Sequence, residues 1–119
     1  MSRAEGTWGE ALVANYLREK GVEIVAHSYH CRFGEIDLIA RDGQHLCFVE
    51  VKTRTNTMMG LPREYVTPKK QAKIRKTALF YLADHDLDCP ARFDVAEVYA
   101  EETGDGTGVR IEYLEDAFQ

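Results

Sequence analysis

Apolar and polar positions alternate along residues 34–54, GEIDLIARDGQHLCFVEVKTR. This period of two predicts two strands, and Asp42-Gly43 between them predicts a tight hairpin turn, because such a turn favours residues that accept positive φ. With these two residues as the loop, Asp37 faces Phe48. One face of the hairpin is then entirely apolar, and we expect it to be the buried face. Its members are Ile36, Leu38, Ala40, Cys47, Val49 and Val51.

The opposite face carries charged side chains close together. Asp37 and Glu50 are predicted to be diagonal neighbours, about 7–8 Å apart at the backbone, and Lys52 projects beside Glu50. Converging carboxylates repel each other unless a cation lies between them. One or two carboxylates are what Mg²⁺ takes when a substrate phosphate supplies further oxygens. A solvated sheet face that carries charges by default is the alternative, and the spacing leaves both interpretations open.

A first helix is predicted over residues 7–20, ended by Gly21. Thr7 and Glu10 have the spacing of a capping box, which would give Glu10 a structural role at the helix start. Glu10 also lies at the edge of the apolar stripe, from which a carboxylate could reach the sheet. Capping and a role in a site both remain open for this residue.

A second helix is predicted over residues 68–83, with Thr67 as its N-cap and Pro68 at its first position. Its expected buried residues are Ile74, Ala78, Leu79 and Leu82. Further strands are predicted near residues 22–28, 92–99 and 109–114, and a polar loop, long enough to be functional or mobile, over 55–66. The chain therefore reads as a single domain, 1–119, with the order α-β-β-β-α-β-β.

The charge of the chain is unevenly distributed. Its net charge is −5, yet residues 52–76 contain eight Lys or Arg and a single acid, Glu64. Such a basic segment on an acidic body predicts a patch that binds nucleic acid. The candidate contacts are Arg54, Lys69, Lys70, Lys73 and Lys76. A solvated helix face that is rich in lysine is the alternative, and charge alone does not separate the two.

Cysteines and hydropathy narrow the class of protein. The three cysteines form no CxxC pair, which disfavours a disulfide scaffold or a zinc site. No segment has the ~18 apolar residues of a membrane span, and the N-terminus lacks the apolar region of a signal peptide. We therefore expect a cytoplasmic protein with no membrane partner.

Four segments resemble the YraN-like family of small bacterial proteins: GE at 9–10, GEIDLIA at 34–40, FVEVKTR at 48–54 and RFDV at 92–95. The element order, with a helix-borne Glu, a strand Asp and a strand E-x-K, also resembles the restriction-endonuclease-like core, particularly the archaeal Holliday-junction resolvases. The resemblance implies an α/β domain with a mixed central sheet flanked by helices. It also implies that Glu10, Asp37 and Glu50 surround Mg²⁺ or Mn²⁺, with Lys52 beside the metal.

The activity implied by this resemblance is metal-dependent hydrolysis of phosphodiester bonds in structured or branched DNA. Glu10, Asp37, Glu50 and Lys52 would be the catalytic residues, and a homodimer is expected because a junction has two symmetric strands. A non-catalytic nucleic-acid-binding module that keeps the fold is the alternative. The intact set of acids favours the enzyme, since a pure binder gains little by aiming three carboxylates at phosphates. Glu35, Arg54 and Arg92 match family positions that have no assigned role.

Overall fold

A computed structural model of the chain describes residues 3–54, 66–103 and 106–119, with side chains within 8–54, 66–100 and 108–119. Its elements are α1 (Arg3–Glu19), β1 (Glu23–Cys31), β2 (Gly34–Asp42), β3 (His45–Arg54), α2 (Pro68–Asp84), β4 (Ala91–Thr103) and β5 (Gly106–Phe118). The five strands form one sheet in the order β1-β2-β3-β4-β5. Among the described strands, β3 and β4 are the one parallel pair of neighbours, and α2 provides the crossover that such a pair needs. The predicted α/β class, mixed sheet and element order are confirmed.

The β2–β3 hairpin has a different turn from the predicted one. Asp42 pairs with His45, so the loop residues are Gly43 and Gln44, and Ile39 rather than Asp37 faces Phe48. Gly43 has a φ of +62°, whereas Asp42 has a negative φ. Glycine at the first loop position is typical of a type II′ turn, which places the loop one residue later. The pairing shifts by two residues, and a shift of two leaves Asp37 and Glu50 on the same face.

Both faces of the sheet are buried, which corrects the prediction of a single buried face. α1 covers one face, where Leu38, Ala40, Cys47, Val49 and Val51 join Val13 and Leu17 in one core cluster. α2 covers the other, where Ile39, Leu46 and Phe48 pack with Ile74, Ala78 and Tyr81. Ile36, predicted for the first cluster, belongs to the second. The alternative of a solvated charged face therefore fails, and Glu50 is only 7% exposed.

α1 begins earlier than the sequence predicts. It starts at Arg3, so Thr7 lies inside the helix and the predicted capping box with Glu10 is wrong. The end was predicted correctly, since Gly21 follows the helix with a φ of +84°. Gly9 lets the helix approach β3 closely, because a Cβ at this position would lie 2.5 Å from Thr53 Oγ1. The next residue, Glu10, is thereby brought to the sheet.

α2 begins as predicted, with the Thr67 hydroxyl accepting a hydrogen bond from the Lys70 amide at 3.1 Å. Leu79 was predicted to be buried but is 67% exposed. The buried residues are Ile74, Thr77, Ala78 and Tyr81. These occupy one arc of the helix, and Leu79 lies about 100° of rotation beyond Ala78, outside it. The predicted loop over 55–66 lies outside the described residues, except for Val66, which is buried.

A buried carboxylate joins β4 to β5. Asp94 is fully buried and accepts hydrogen bonds from Arg92 Nε at 3.0 Å, the Tyr113 hydroxyl at 2.6 Å and the Asp116 amide at 2.9 Å. Arg92 also donates to Asp42 at 3.3 Å. These contacts give Arg92 a structural role between strands. Within the described residues, no helix is long and apolar enough to cross a bilayer.

Candidate functional site

Asp37 and Glu50 come together where β2 and β3 separate. The regular pairing of these strands ends at Leu38 and Val49, and extending it by one residue places Asp37 level with Glu50. Beyond this point the side chain of Asp37 contacts β3, because its Oδ2 accepts a hydrogen bond from the Val51 amide at 2.7 Å. The two carboxyl groups are hydrogen-bonded to each other. They are thus closer than the diagonal neighbours that the sequence predicted.

This pair does not ionise like two separate acids. Burial, followed by the charge of Asp37, raises the pKa of Glu50 to about 7. Burial also raises the pKa of Asp37, while hydrogen bonds from the Val51 amide and from Glu50 act in the opposite direction. Glu50 therefore holds the shared proton and donates a hydrogen bond to the Asp37 carboxylate. Below pH 7, the pair thus carries less negative charge than two separate carboxylates would.

Lys70 provides a cation at this pair. Its Nζ lies 3.5 Å from Glu50 Oε2, and it reaches the sheet from the first turn of α2. The sequence assigned this lysine to nucleic-acid binding, and nothing in its spacing indicates contact with a residue 20 positions earlier. Lys52 lies two residues after Glu50 on β3, is half-buried, and lowers the pKa of Glu50 less than Lys70 does.

Glu10 approaches from α1 and is held by Ser28. The Ser28 hydroxyl donates to Glu10 Oε1 at 2.9 Å. Ser28 lies between two residues that pair with Leu38 and Ile36, which places it opposite Asp37. Its φ of +49° is unusual for a residue within a strand. Burial raises the pKa of Glu10, and the charges of Asp37 and Glu35 raise it further, so these acids lie near one another.

The sequence does not reveal the role of Ser28. No motif marks it, and positive φ at a serine has no sequence signature. The structure alone identifies it as the residue that positions Glu10 beside Asp37.

Asp37 and Glu50 supply two of the oxygen ligands of a possible magnesium site, and the remaining ligands would have to come from water or substrate. Across the described residues, no group of three or more His, Cys, Asp or Glu side chains is arranged to hold an ion. Asp37 and Glu50 nevertheless supply hard oxygen donors, and Glu10 lies close enough to feel the charge of Asp37. Mg²⁺ commonly keeps several waters and binds through one or two carboxylates together with substrate phosphate. The donor set therefore fits Mg²⁺ or Mn²⁺ bound in this open manner.

Glu97 extends the acidic site onto β4. It pairs in register with Lys52 and is 1% exposed. Its carboxylate accepts a hydrogen bond from the Tyr99 hydroxyl at 3.2 Å and lies 3.5 Å from Arg54 Nη2. Arg54, predicted to contact nucleic acid, is thus anchored on the sheet beside the site. Glu97 was not among the predicted site residues, although its spacing of two from Val95 could have indicated that the two side chains share a face.

The remaining predicted nucleic-acid contacts lie on the surface of α2. Lys69, Lys73 and Lys76 are exposed, and none forms an ion pair with another described residue. Lys69 shares the first turn of α2 with Lys70, and Lys73 and Lys76 lie in the following turns. The structure thus places a basic helix surface next to the acidic pair.

Comparison with known proteins gives consistent matches. Residues 9–98 match the family described as "Uncharacterised protein family UPF0102". A UPF0102 protein of Syntrophus aciditrophicus (strain SB) is 49% identical over 115 residues, covering 96% of this chain and 87% of that protein. The UPF0102 protein of Geotalea uraniireducens (strain Rf4) is 44% identical over 119 residues, covering 99% and 91%. That of Nocardia farcinica (strain IFM 10152) is 50% identical over 97 residues, covering 81% and 76%.

Proposed function

We propose that this chain, which belongs to the uncharacterised protein family UPF0102, is a divalent-metal-dependent nuclease that acts on structured or branched DNA. The matched segment contains all four motifs on which the resemblance to YraN-like proteins rests. The family description assigns no reaction, so the proposal rests on the geometry of the site. Its strongest support is the buried Asp37–Glu50 pair. Two like-charged groups in one buried place are costly for folding, and such costs are typical of functional sites.

The proposed roles follow from the positions of the side chains. Asp37 and Glu50 would hold Mg²⁺ or Mn²⁺, with Glu10, positioned by Ser28, as a nearby third oxygen donor. A cation bound there would supply an activated water and compensate negative charge on the phosphate. Lys52, on the same face of β3, would stabilise the charge that develops on the phosphate oxygens.

Lys70 supports a coupling between substrate and metal binding. Its ammonium group lies against the Asp37–Glu50 pair and offsets the negative charge of the pair in the absence of other ligands, and the Lys70 side chain is 39% exposed. A lysine that is partly exposed can turn from the carboxylate to an arriving phosphate at little cost, because such ion pairs contribute little net energy. The acid would then become available to the cation as the DNA binds.

A cleavage panel tests this proposal. Branched, flapped, duplex and single-stranded DNA and the corresponding RNA are incubated with Mg²⁺ or Mn²⁺, and products are resolved on denaturing gels. We expect cleavage of structured DNA by the wild type and none by Asp37→Asn. Asp88→Asn is the matched control, because Asp88 is exposed and lies beyond α2. Cleavage that persists in Asp37→Asn, or none by the wild type with either metal, would contradict the proposal.

A nucleic-acid-binding module is the second candidate function. The observation in its favour is the Lys70–Glu50 contact, which already neutralises the acidic pair without a metal. In that case the wild type would bind the panel without cutting it, and Asp37→Asn would bind equally well.

The expected homodimer is a further part of the proposal, because two copies would act on the two strands of a junction. Sedimentation of the protein with and without a four-way junction tests whether two copies act together.

A further inference from the structure

A stripe of basic residues on α2 leads away from the acidic pair. Lys69, Lys73 and Lys76 stand at i, i+4 and i+7, and Phe80 continues the series at i+11. On an α-helix these four positions fall within an arc of about 60° and span about 16 Å along the axis. The three lysines are exposed and unpaired with other described residues, so their charge is presented to solvent.

The turn between β1 and β2 provides an aromatic platform at the far end of this stripe. The Phe33 ring packs edge-on against Phe80, with ring centroids 5.8 Å apart and an interplanar angle of 61°. It is nevertheless 37% exposed. The guanidinium of Arg32 lies 4.9 Å from the centre of the ring. An exposed ring next to a cation can accept a stacked base and its phosphate.

Close packing holds this platform in place. A Cβ at Gly34 would lie 3.0 Å from Thr77 Oγ1 and 3.8 Å from Lys73 Cβ, so the turn rests directly on α2. Phe33 is therefore fixed relative to the lysines. Little ordering is required when a ligand binds, which favours affinity.

We propose that this stripe and the Phe33–Arg32 platform form a track for unpaired nucleotides, which we name the lysine track (Lys69, Lys73, Lys76, Arg32 and Phe33). It rests on the proposed function and specifies the substrate as nucleic acid with a single-stranded segment next to the site. Lysines contact phosphates in any strand. A protein ring stacks on a base only where that base is not already stacked within a duplex. The platform therefore selects an unpaired strand, whereas the lysines alone would not.

Fluorescence anisotropy in EDTA tests the track without cleavage. The probes are a labelled 20-nucleotide DNA single strand, a splayed fork, a 20-base-pair duplex and a single strand with abasic nucleotides. Phe33→Leu keeps an apolar side chain against Phe80 but removes the aromatic face, and Phe33→Tyr restores that face. Leu79→Ala is the control, because Leu79 is an exposed apolar residue on α2 outside the stripe.

We expect the wild type to bind the single strand and the fork more tightly than the duplex. Phe33→Leu should weaken binding of the single strand and the fork by about 5–150-fold, the range for one lost base stack. Its affinity for the duplex and the abasic strand should equal that of the wild type. Phe33→Tyr and Leu79→Ala should bind all four probes normally. Equal affinity of Phe33→Leu and wild type for the single strand, or an equal loss on single strand and duplex, would overturn the inference.

The binding assay tests the lysine track independently of the nuclease proposal, which the cleavage panel tests. Binding that depends on Phe33 without cleavage of any panel substrate would keep the track and refute the nuclease. Cleavage by the wild type, together with no effect of Phe33→Leu on binding, would support the nuclease and refute the track. An RNA strand of the same sequence, run in parallel, identifies which sugar the track prefers, and thermal melts verify that each variant is folded.

Discussion

Glu50→Gln is expected to stabilise the metal-free protein above neutral pH and to leave its stability unchanged near pH 4.5. The folded protein holds the pKa of Glu50 at about 7, against 4.5 as its ordinary value. Between these values the folded protein retains a proton that the unfolded chain has released. The free energy of unfolding of the wild type therefore falls as pH rises through this window, and it stays lower above it. Glutamine has no proton to lose and avoids this penalty.

The size of the effect follows from the shift. A difference of about 2.5 pKa units corresponds to at most about 3 kcal/mol. Glutamine has nearly the same shape as the protonated acid and can likewise donate a hydrogen bond to Asp37. It loses the ion pair with Lys70, which is worth about 0–1 kcal/mol at a partly exposed lysine. The net gain of about 2–3 kcal/mol would raise the melting temperature by roughly 10 °C in a chain of 119 residues.

Thermal melts followed by circular dichroism from pH 4.5 to 8.5, in EDTA, measure this gain. Other acids also affect the pH dependence, so the informative quantity is the difference between variant and wild type. Glu115→Gln makes the same change at an exposed position of β5 and should show no pH-dependent difference. A Glu50→Gln protein that is equally stable or less stable than the wild type at pH 8 would refute the shared-proton arrangement.

Saturating Mg²⁺ should reduce or reverse the difference in stability between Glu50→Gln and the wild type, because only the wild type keeps both carboxylates. A ligand at one hundred times its Kd stabilises the folded state by about 2.7 kcal/mol. The melts are repeated with a non-cleavable branched oligonucleotide, since Mg²⁺ and phosphate share the coordination. Identical melts of both proteins under all these conditions would contradict a metal site at Asp37 and Glu50.

Three further variants address other parts of the site. Lys52→Ala should bind Mn²⁺ nearly normally, measured by calorimetry, yet lose about 2.7–4 kcal/mol of transition-state stabilisation in cleavage assays; an unchanged rate would exclude a catalytic lysine. Gly9→Ala should lower the free energy of unfolding by about 1–3 kcal/mol in urea titrations, because its methyl group would overlap Thr53 Oγ1; an unaffected midpoint would show that α1 moves freely. Replacing Lys69 and Lys73 with Ala should make the slope of log affinity against log salt about two units shallower on duplex DNA, and an equal slope would assign both lysines to solvent.

Local patterns were sufficient for the type and order of the elements and for the shared face of Asp37 and Glu50. The alternation along β2 and β3 placed Asp37 and Glu50 together even though the turn was misplaced, because a register shift of two residues changes no side-chain direction. The start of α2 could also be predicted from the sequence, because Thr67 caps the helix and Pro68 occupies its first position, and both effects depend only on neighbouring residues.

Features that depend on how distant elements pack together could not be predicted from local sequence patterns. The Lys70–Glu50 contact depends on where the crossover places α2, and the exposure of Leu79 on how that helix is rotated against the sheet. The positive φ of Ser28, whose hydroxyl group donates a hydrogen bond to Glu10 of α1, has no compositional signal. Gly43 belongs to both possible hairpin turns, as the second loop residue in the predicted turn and the first in the observed one, so its presence does not distinguish them.

The buried Asp94 side chain reinforces one edge of the sheet. β5 is an edge strand, and the side chain of Asp94 holds it to β4 through Tyr113 and the Asp116 amide. Without β5, β4 would be the edge strand and would present the backbone of a strand that carries Phe93, Val95 and Val98. Exposed apolar edges of this kind recruit further strands from other molecules. By adding side-chain contacts to the backbone pairing of β4 and β5, the Asp94 carboxylate favours a sheet that ends at β5 and so disfavours self-association.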